Sequence, residues 1–312
     1  LNVLNMSLIS LITVNYNGLS DTCNLINSVY SVFGRDDIII SSESFNIEII
    51  VVDNSKESSD SKAIAAIYPN VIVVRNPTNS GFASGNNLGL KYAHGDYILF
   101  INNDVQLRDD SLKFLLRRVS SSPKIAGASP KILYSSDSKT IQYAGYTPLT
   151  KITLRNKTIG LGEMDCGKYD TAHSVPYFHG AAFLVKKEVV DRVGGWPECY
   201  FLYYEELDWS MQIRRFGYEL WYEPKCIVYH AGSATIGVNS PIQVFYMTRN
   251  RMIFAKRNLS KFNAFLSILY QKCIAVPKQC VKFALQGRFA LVSTSIKACC
   301  HINNEGKVNY DL

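Results

Sequence analysis

Apolar positions along this chain fall into short β-branched runs separated by stretches of helical spacing. Ser7 to Val14 (SLISLITV) predicts a buried strand. Asn15-Tyr16-Asn17-Gly18 breaks it, and a helical pattern follows to about Phe33. Asn46 to Val52 (NIEIIVV) predicts a second strand, closed by Asp53-Asn54-Ser55. A helix to about Tyr68, a strand over Val71 to Val74 and a helix over Gly81 to His94 come next. Asp96 to Ile101 (DYILFI) is a fourth strand, ending on Asn102-Asn103-Asp104. Strands alternating with helices predict an α/β fold, a parallel sheet with right-handed crossovers. Ligands bind such sheets at the carboxyl ends of the strands. Asn15, Asp53 and Asp104 all fall at those ends.

Beyond the fourth strand the pattern loosens. Ser135 to Asp170 mixes short alternating segments with Gly145, Gly160, Gly162 and Gly167, which predicts hairpins and loops over one edge of the site. Val175 to Val185 has a strand pattern interrupted by Phe178-His179-Gly180-Ala181-Ala182, small enough for a ligand or another backbone to approach. After the turn Val193-Gly194-Gly195-Trp196-Pro197 comes Tyr203-Tyr204-Glu205-Glu206-Leu207-Asp208-Trp209, an acidic helix start. Helical spacing places Asp208, Gln212 and Arg215 on one face. Tyr218 to Tyr222 and Cys226 to Tyr229 predict strands, the second ending on His230-Ala231-Gly232-Ser233. From Gln243 the pattern turns helical, with basic amphipathic segments near Lys261–Cys273 and Lys278–Lys297.

Composition sharpens two points. The 312 residues are 47% hydrophobic and 19% charged, enough for a large core and unlike a disordered chain. The net charge is +7, but residues from Pro241 onward hold 11 Lys/Arg and 2 Asp/Glu, or +9, leaving −2 for the rest. A basic tail on a near-neutral body predicts an anionic partner, and the amphipathic spacing favours a phospholipid surface over nucleic acid, for which no recognition motif is present. A helical cap packed on the main domain is the other reading of the tail. Leu1 to Ser7 carry no basic signal-peptide region, and no apolar run reaches the roughly 18 residues of a spanning helix. The 8 cysteines form no CxxC pair, which predicts reduced thiols and a cytoplasmic setting.

Several residues suit catalysis. Carboxylates beside large aromatics, as at Glu205, Glu206 and Asp208, are candidate general bases, because desolvation lifts their pKa. An ordinary amphipathic helix with an acidic first turn has the same pattern. Asp53 at a strand end suits hydrogen bonds to a base or ribose, and equally a helix N-cap. Asn79-Ser80-Gly81 through Asn86-Asn87 suits close approach to a nucleotide or its phosphates, although neither GxGxxG nor GxxxxGK[ST] is present. Asp104 at a strand tip suits a hard divalent cation bridging two phosphates. His230 could add a nitrogen ligand, although a lone histidine is more often a packed or surface residue.

Taken together, TVNYNG, IIVVDNS, NxGFAxGNNxG, ILFINND, GAAFLVKKEVVDRVGGW, FLYYEELDWSMQIRRFGY and VYHAGS resemble the family 2 glycosyltransferases of bacterial polysaccharide synthesis, in particular the rhamnosyltransferase-like branch. The match runs in order from about Leu8 to Asn258. The resemblance implies a GT-A fold, a Rossmann-like, mostly parallel sheet flanked by helices, in residues 1–240, with a basic helical extension in 241–312. It implies inverting transfer from a dTDP- or UDP-linked sugar to a saccharide or lipid-linked saccharide, with the protein peripheral on the cytoplasmic face of the membrane. By the same resemblance Thr13, Asn15, Asp53, Asn79, Gly81, Asn86 and Asn103 lie along the nucleotide sugar. Asp104 and His230 hold Mg2+ or Mn2+, Glu206 is the base, and Asp208 and Arg215 support the base and the acceptor or diphosphate. Two positions depart from the family. Asn102 replaces the first metal-motif acid, and the base is Glu where Asp is common, with Glu205 adjacent. Two rivals are a non-catalytic nucleotide-sugar-binding partner and a processive synthase, whose QxxRW motif Gln212-xx-Arg215-Phe216 approaches.

Overall fold

The computed structural model describes residues 6–34, 40–41, 45–232 and 239–302. The first five residues, Ser233 and the last ten residues of the basic extension lie outside these. The first half runs β1 (Leu8–Asn15), α1 (Leu19–Phe33), β2 (Ile40–Ser41), β3 (Asn46–Asp53), α2 (Ser59–Ile67), β4 (Ile72–Arg75), α3 (Phe82–Leu90), β5 (Tyr97–Ile101), β6 (Val105–Gln106), α4 (Leu112–Ser120) and β7 (Ile125–Tyr134). Then come β8 (Ile141–Tyr143), β9 (His173–Val175), β10 (Ala182–Lys186), α5 (Lys187–Val193), α6 (Glu205–Arg215) and β11 (Glu219–His230). Helices α7 (Pro241–Asn258), α8 (Lys261–Tyr270), α9 (Val276–Leu285) and α10 (Phe289–Cys300) follow, with a π-helical stretch, Gln271–Ala275, between α8 and α9.

One sheet organises these elements. Strands β4, β3, β1 and β5 are parallel neighbours, as the alternation of apolar runs and helices predicts. Their side chains are buried on both faces; Ile9, Leu11, Ile12, Ile50, Val51 and Phe100 are inaccessible. Each such burial contributes roughly 1.5–3 kcal/mol. The second half of the sheet is mixed: β10 runs antiparallel to both β5 and β7, β11 runs parallel to β7, and β6 folds antiparallel onto the end of β11. Two reversals restore the original direction, so the ends of β7 and β11 share an edge with the ends of β1, β3 and β5. The start of β10 lies there too, with Ala182 opposite Ile101.

The sequence pattern misses α4 and β7. Gly127 and Pro130 interrupt the alternation of β7, yet the strand stands between two partners. Its Pro130 is tolerated because β10 pairs only at Gly127 and Ala128, leaving that side of Pro130 without a ladder to break. The two strands expected around residues 218–229 are one strand, β11, with a register irregularity between Glu223 and Ile227.

The acidic helix α6 is anchored through Trp209. Its ring is fully buried, stacks on Trp196 at 5.1 Å, and its Nε1 donates to Gly194 O at 2.9 Å. Helix α7 is buried along most of its length. Its Ile253, Phe254 and Ala255 share a core with Leu154, Tyr177, Tyr200, Tyr204 and Leu207. Helices α8 to α10 differ, leaving Phe262, Phe265, Leu285 and Phe289 exposed. No helix among the described residues is long and apolar enough to cross a membrane.

Candidate active site

The tips of β1 and β3 form one end of the site. Register sets Asn15 beside Asp53, and Asn15 Nδ2 donates to Asp53 Oδ1 at 3.0 Å and to Asp60 Oδ2 at 3.0 Å. Asp53 also accepts from the backbone N–H groups of Ser55 and Ser61 and from Arg75 Nη1. Burial alone would raise its pKa, but the hydrogen bonds from Ser55, Asn15 and Arg75 outweigh burial and hold the carboxyl below its usual range. Thr13, one pleat back on β1, is fully buried and its Oγ1 has no hydrogen-bond partner.

The glycine-rich segment lies above these tips. Gly81 has φ +106, and a side chain there would meet Phe201 O at 2.4 Å. The backbone that approaches it is therefore that of residue 201, whose carbonyl accepts from Phe82 N at 3.0 Å. Gly85 and Gly89, one turn apart on α3, let the helix settle on Val14, Ile12 and Val52 of the sheet. Asn86 Nδ2 donates back to Phe82 O, and Asn79 takes a left-handed backbone with φ +42.

Asp104 and His230 come together across the β6–β11 pairing. Val105 lies opposite His230, and Ala231 N donates to Asp104 O. His230 Nε2 is 3.0 Å from Asp104 Oδ1, and both side chains are about nine-tenths buried. His230 Nδ1 is 2.6 Å from Gln142 Oε1, which as oriented can only accept, so Nδ1 carries the proton. An imidazole nitrogen beside a carboxylate oxygen is a donor set that would suit a divalent cation. Among the described residues no cluster of three or more His, Cys, Asp or Glu could hold a metal. Asn103 Nδ2 donates to Thr22 Oγ1 at 3.1 Å and Gly18 O at 3.4 Å. Asn102 Oδ1 is buried without a partner. Asp21, at the start of α1, has its pKa raised by burial and then by the charge of Asp104.

The acid helix closes the other end. Glu206 faces Gly180, its Cγ lying 3.7 Å from where a Cβ on that glycine would be. Burial raises the Glu206 carboxyl toward neutrality, and backbone N–H groups at the helix start pull it back only in part. Glu205 is raised by burial and by the charge of Glu206, and its Oε2 has no hydrogen-bond partner. Tyr146 is near enough for Glu206 to raise its pKa as well, after burial. Its ring stacks on His179 at 5.7 Å. Burial and then the nearby His230 push His179 down to about 3, so its ring is neutral.

Asp208 is fully engaged. It accepts from Tyr200 Oη at 2.9 Å, Gln212 Nε2 at 3.0 Å and Arg257 Nε at 2.6 Å. Arg215 is exposed, and its Nη2 donates to Asn258 O at the end of α7. The structure therefore brings Asp104 to His230, Asn15 to Asp53, and Glu205 to Glu206, while Arg215 reaches the last residue of α7. Residues missed in the sequence are Gln142, Tyr146, Asn250 and Arg257. The signal for the last two was the basic, aromatic run over 245–257, which reads as surface until α7 is seen buried.

Two consecutive tyrosines set the start of α6. Tyr203 and Tyr204 have φ +69 and +80, a left-handed backbone that costs an L residue roughly 1–2 kcal/mol.

A sequence model described as glycosyl transferase family 2 matches residues 10–194. The chain is 25% identical to the low-salt glycan biosynthesis hexosyltransferase Agl10 of Haloferax volcanii over 211 residues, 66% of this chain and 62% of that one. It is 27% identical to the dTDP-rhamnosyl transferase RfbF of Shigella flexneri over 225 residues, 68% of this chain and 72% of that one. It spans only 37% of the pre-mycofactocin glycosyltransferase of Mycobacterium tuberculosis. Among solved structures, the mannosyltransferase PcManGT of Pyrobaculum calidifontis in complex with GDP-Man and Mn2+ covers 96% of this chain and 88% of its own. The TM-score is 0.55 at 14% identity. GalNAc-T7 with UDP, GalNAc and Mn2+ covers 81% of this chain and 51% of its own, with a TM-score of 0.58 at 17% identity. These likenesses establish the fold as GT-A.

Proposed function

The chain belongs to glycosyl transferase family 2, and we propose that it is an inverting enzyme moving a hexose from a nucleotide diphosphate sugar to a saccharide hydroxyl. The observation that carries this reading is the setting of Glu206. It is a carboxylate with a raised pKa, half-buried beside Gly180 and Tyr146, on the sheet edge that also holds Asp104 and His230. Such an acid is matched to taking a proton near neutral pH.

In this mechanism the acceptor oxygen attacks the anomeric carbon as Glu206 takes its proton. The bond from that carbon to the diphosphate oxygen breaks, and configuration inverts once. General-base assistance contributes about 10²–10⁴ in rate. Thr13, Asn15, Asp53, Asn79, Gly81, Asn86 and Asn103 line the nucleotide sugar. Within that group Asp53 acts on the ligand through Asn15 and the Ser55 loop that it holds. Asp104 and His230 are the residues that would hold Mg2+ or Mn2+, and such a cation, when bound, neutralises charge on the departing diphosphate. Asp208 fixes α6 against Tyr200 and Arg257.

A rhamnose donor on dTDP is favoured by the likeness to RfbF, with UDP-linked hexoses as the alternatives. Residues 1–240 form the transferase unit and 241–312 its extension, with α7 bound to the acid helix. The acceptor is a saccharide on a lipid carrier, reached at the cytoplasmic, anionic face of a membrane. Support comes from α8, whose Phe262, Phe265 and Leu269 are exposed at helical spacing beside the basic residues Lys261 and Lys272. Cosedimentation with vesicles of phosphatidylglycerol and phosphatidylcholine tests the membrane contact; binding to neither, at low salt, removes it. The transfer itself is tested by nucleoside diphosphate release from a panel of dTDP- and UDP-sugars with Mn2+. Wild-type turnover by Glu206→Gln would remove Glu206 from its role.

A further inference from the structure

The helix that carries Glu206 starts without a side-chain cap, from two left-handed tyrosines. Glycine takes that backbone freely and tyrosine does not, so the turn needs an external hold. Helix α7 supplies it. Asn250 is fully buried, and its Nδ2 donates to Leu202 O at 2.7 Å and to Tyr203 O at 2.9 Å. The direction of this amide is set by Arg249, whose Nε donates to Asn250 Oδ1 at 2.9 Å. One residue on, Arg251 Nε donates to Tyr204 Oη at 2.7 Å. Tyr246 of α7 stacks on the Phe201 ring at 5.0 Å, and from α3 Phe82 N donates to Phe201 O over Gly81. The segment from Phe201 to Tyr204 is thus gripped between α3 and α7. The first side chains beyond the grip are Glu205 and Glu206.

We infer that Asn250 is a positioning residue, whose two amide hydrogens hold the left-handed turn that aims Glu206 at the acceptor hydroxyl. The inference rests on reading Glu206 as the base. Both hydrogens are used on carbonyls, so chemistry dictates which replacements fail. Aspartate keeps the shape and the Arg249 contact but faces two carbonyls with no donor. Leucine fills the space with neither donor nor acceptor. A displacement of about 1 Å at a reacting group costs on the order of 10²-fold in rate.

The test compares Asn250→Asp and Asn250→Leu with wild type in nucleoside diphosphate release from dTDP-rhamnose and UDP-glucose with Mn2+. Titration with dTDP and UDP and crystal structures of the variants complete it. Both variants are expected to lose about 10²-fold in kcat, with donor KM and nucleotide binding within about twofold of wild type. In the crystal, which needs no substrate, Glu206 leaves Gly180 and at least one tyrosine leaves the left-handed region. Tyr203→Gly in the Asn250→Asp background relieves the strain and is expected to recover about tenfold, and it also serves if the single variants fold poorly. The inference is overturned if the tyrosines and Glu206 keep their places, if nucleotide binding falls in step with kcat, or if glycine gives no recovery. Glu206→Gln separates the two claims. If it is silent while the Asn250 variants turn over at the wild-type rate, only the inference falls; if it stays active, the reading of the base falls.

Discussion

Asp53 and Glu206 are both acids drawn into the same edge of the sheet, and they are held in opposite ways. Asp53 has donors on every side: an asparagine amide, two backbone N–H groups and a guanidinium. Those bonds outweigh desolvation and keep it ionised. Glu206 has only the N–H groups at the start of its own helix against desolvation, and its pKa rises. The same edge of the sheet therefore holds a structural anchor in one place and a proton acceptor in the other. The number of donors aimed at the carboxylate decides which.

The sharpest way to break this contrast is Glu206→Gln. The amide keeps the shape and loses the proton-accepting charge, so turnover is expected to fall about 10²–10⁴-fold. Calorimetric titration with UDP or dTDP and Mn2+ should show nucleotide affinity unchanged. A parallel loss of nucleotide affinity would place Glu206 among the donor contacts instead.

Asp53→Ala should have the converse effect. It leaves two backbone N–H groups without their acceptor and removes one of the acceptors of Asn15 and Arg75, so the loss is chiefly in folding. Breaking a buried, hydrogen-bonded pair costs about 3–5 kcal/mol, and the partly exposed Arg75 puts this case near the low end. Urea unfolding would measure it. A loss under about 1 kcal/mol would mean that the Asp53 cluster holds little of the fold.

These two residues also show how much the sequence discloses. Both positions stand out as an acid at a strand end or a helix start, and the α/β order of the first 101 residues follows from the apolar runs. The donor count does not. Arg75 and Ser61 reach Asp53 only because β4 and α2 return beside β3, and no spacing rule encodes that. Gly85 belongs to a stretch that suits a nucleotide in sequence, and in space it makes, with Gly89, a helix-on-sheet contact. Tyr203 and Tyr204 carry no left-handed signature, since their backbone is imposed by α7 rather than chosen locally. Strand β7 escaped because Gly127 and Pro130 obscure its alternation, although tertiary pairing tolerates both.

Gln142 gives a smaller test, at the proposed cation seat. Its Oε1 lies 2.6 Å from His230 Nδ1 and so orients the ring whose Nε2 faces Asp104. Gln142→Leu should raise the Mn2+ concentration needed for half-maximal dTDP or UDP binding by about 10-fold or more. Unchanged Mn2+ dependence would detach Gln142 from the seat.

The smallest expected effect is on stability against pH, where the two acids must differ in sign. Glu206 has a folded-state pKa above its ordinary 4.5, so the folded chain binds this proton more tightly than the unfolded chain. The resulting stabilisation is complete below about pH 4.5 and is lost as pH rises through the raised folded value. Asp53 has a folded pKa below its ordinary 3.8; its stabilisation is complete above that value and is lost as pH falls through the folded one. Between pH 5 and 8 the Asp53 contribution is therefore flat, and Glu206, with Glu205 behind it, makes the protein less stable as pH rises. Glu206→Gln removes that titration. Its melting temperature relative to wild type should climb by a few degrees from pH 5 to pH 8, roughly 2–4 °C per kcal/mol for a chain of this size. Asp53→Asn should show no such trend in that window and should narrow its deficit only in acid. A flat difference for Glu206→Gln would mean that its carboxyl is solvated in the folded state, and the contrast with Asp53 would then have to rest on geometry alone.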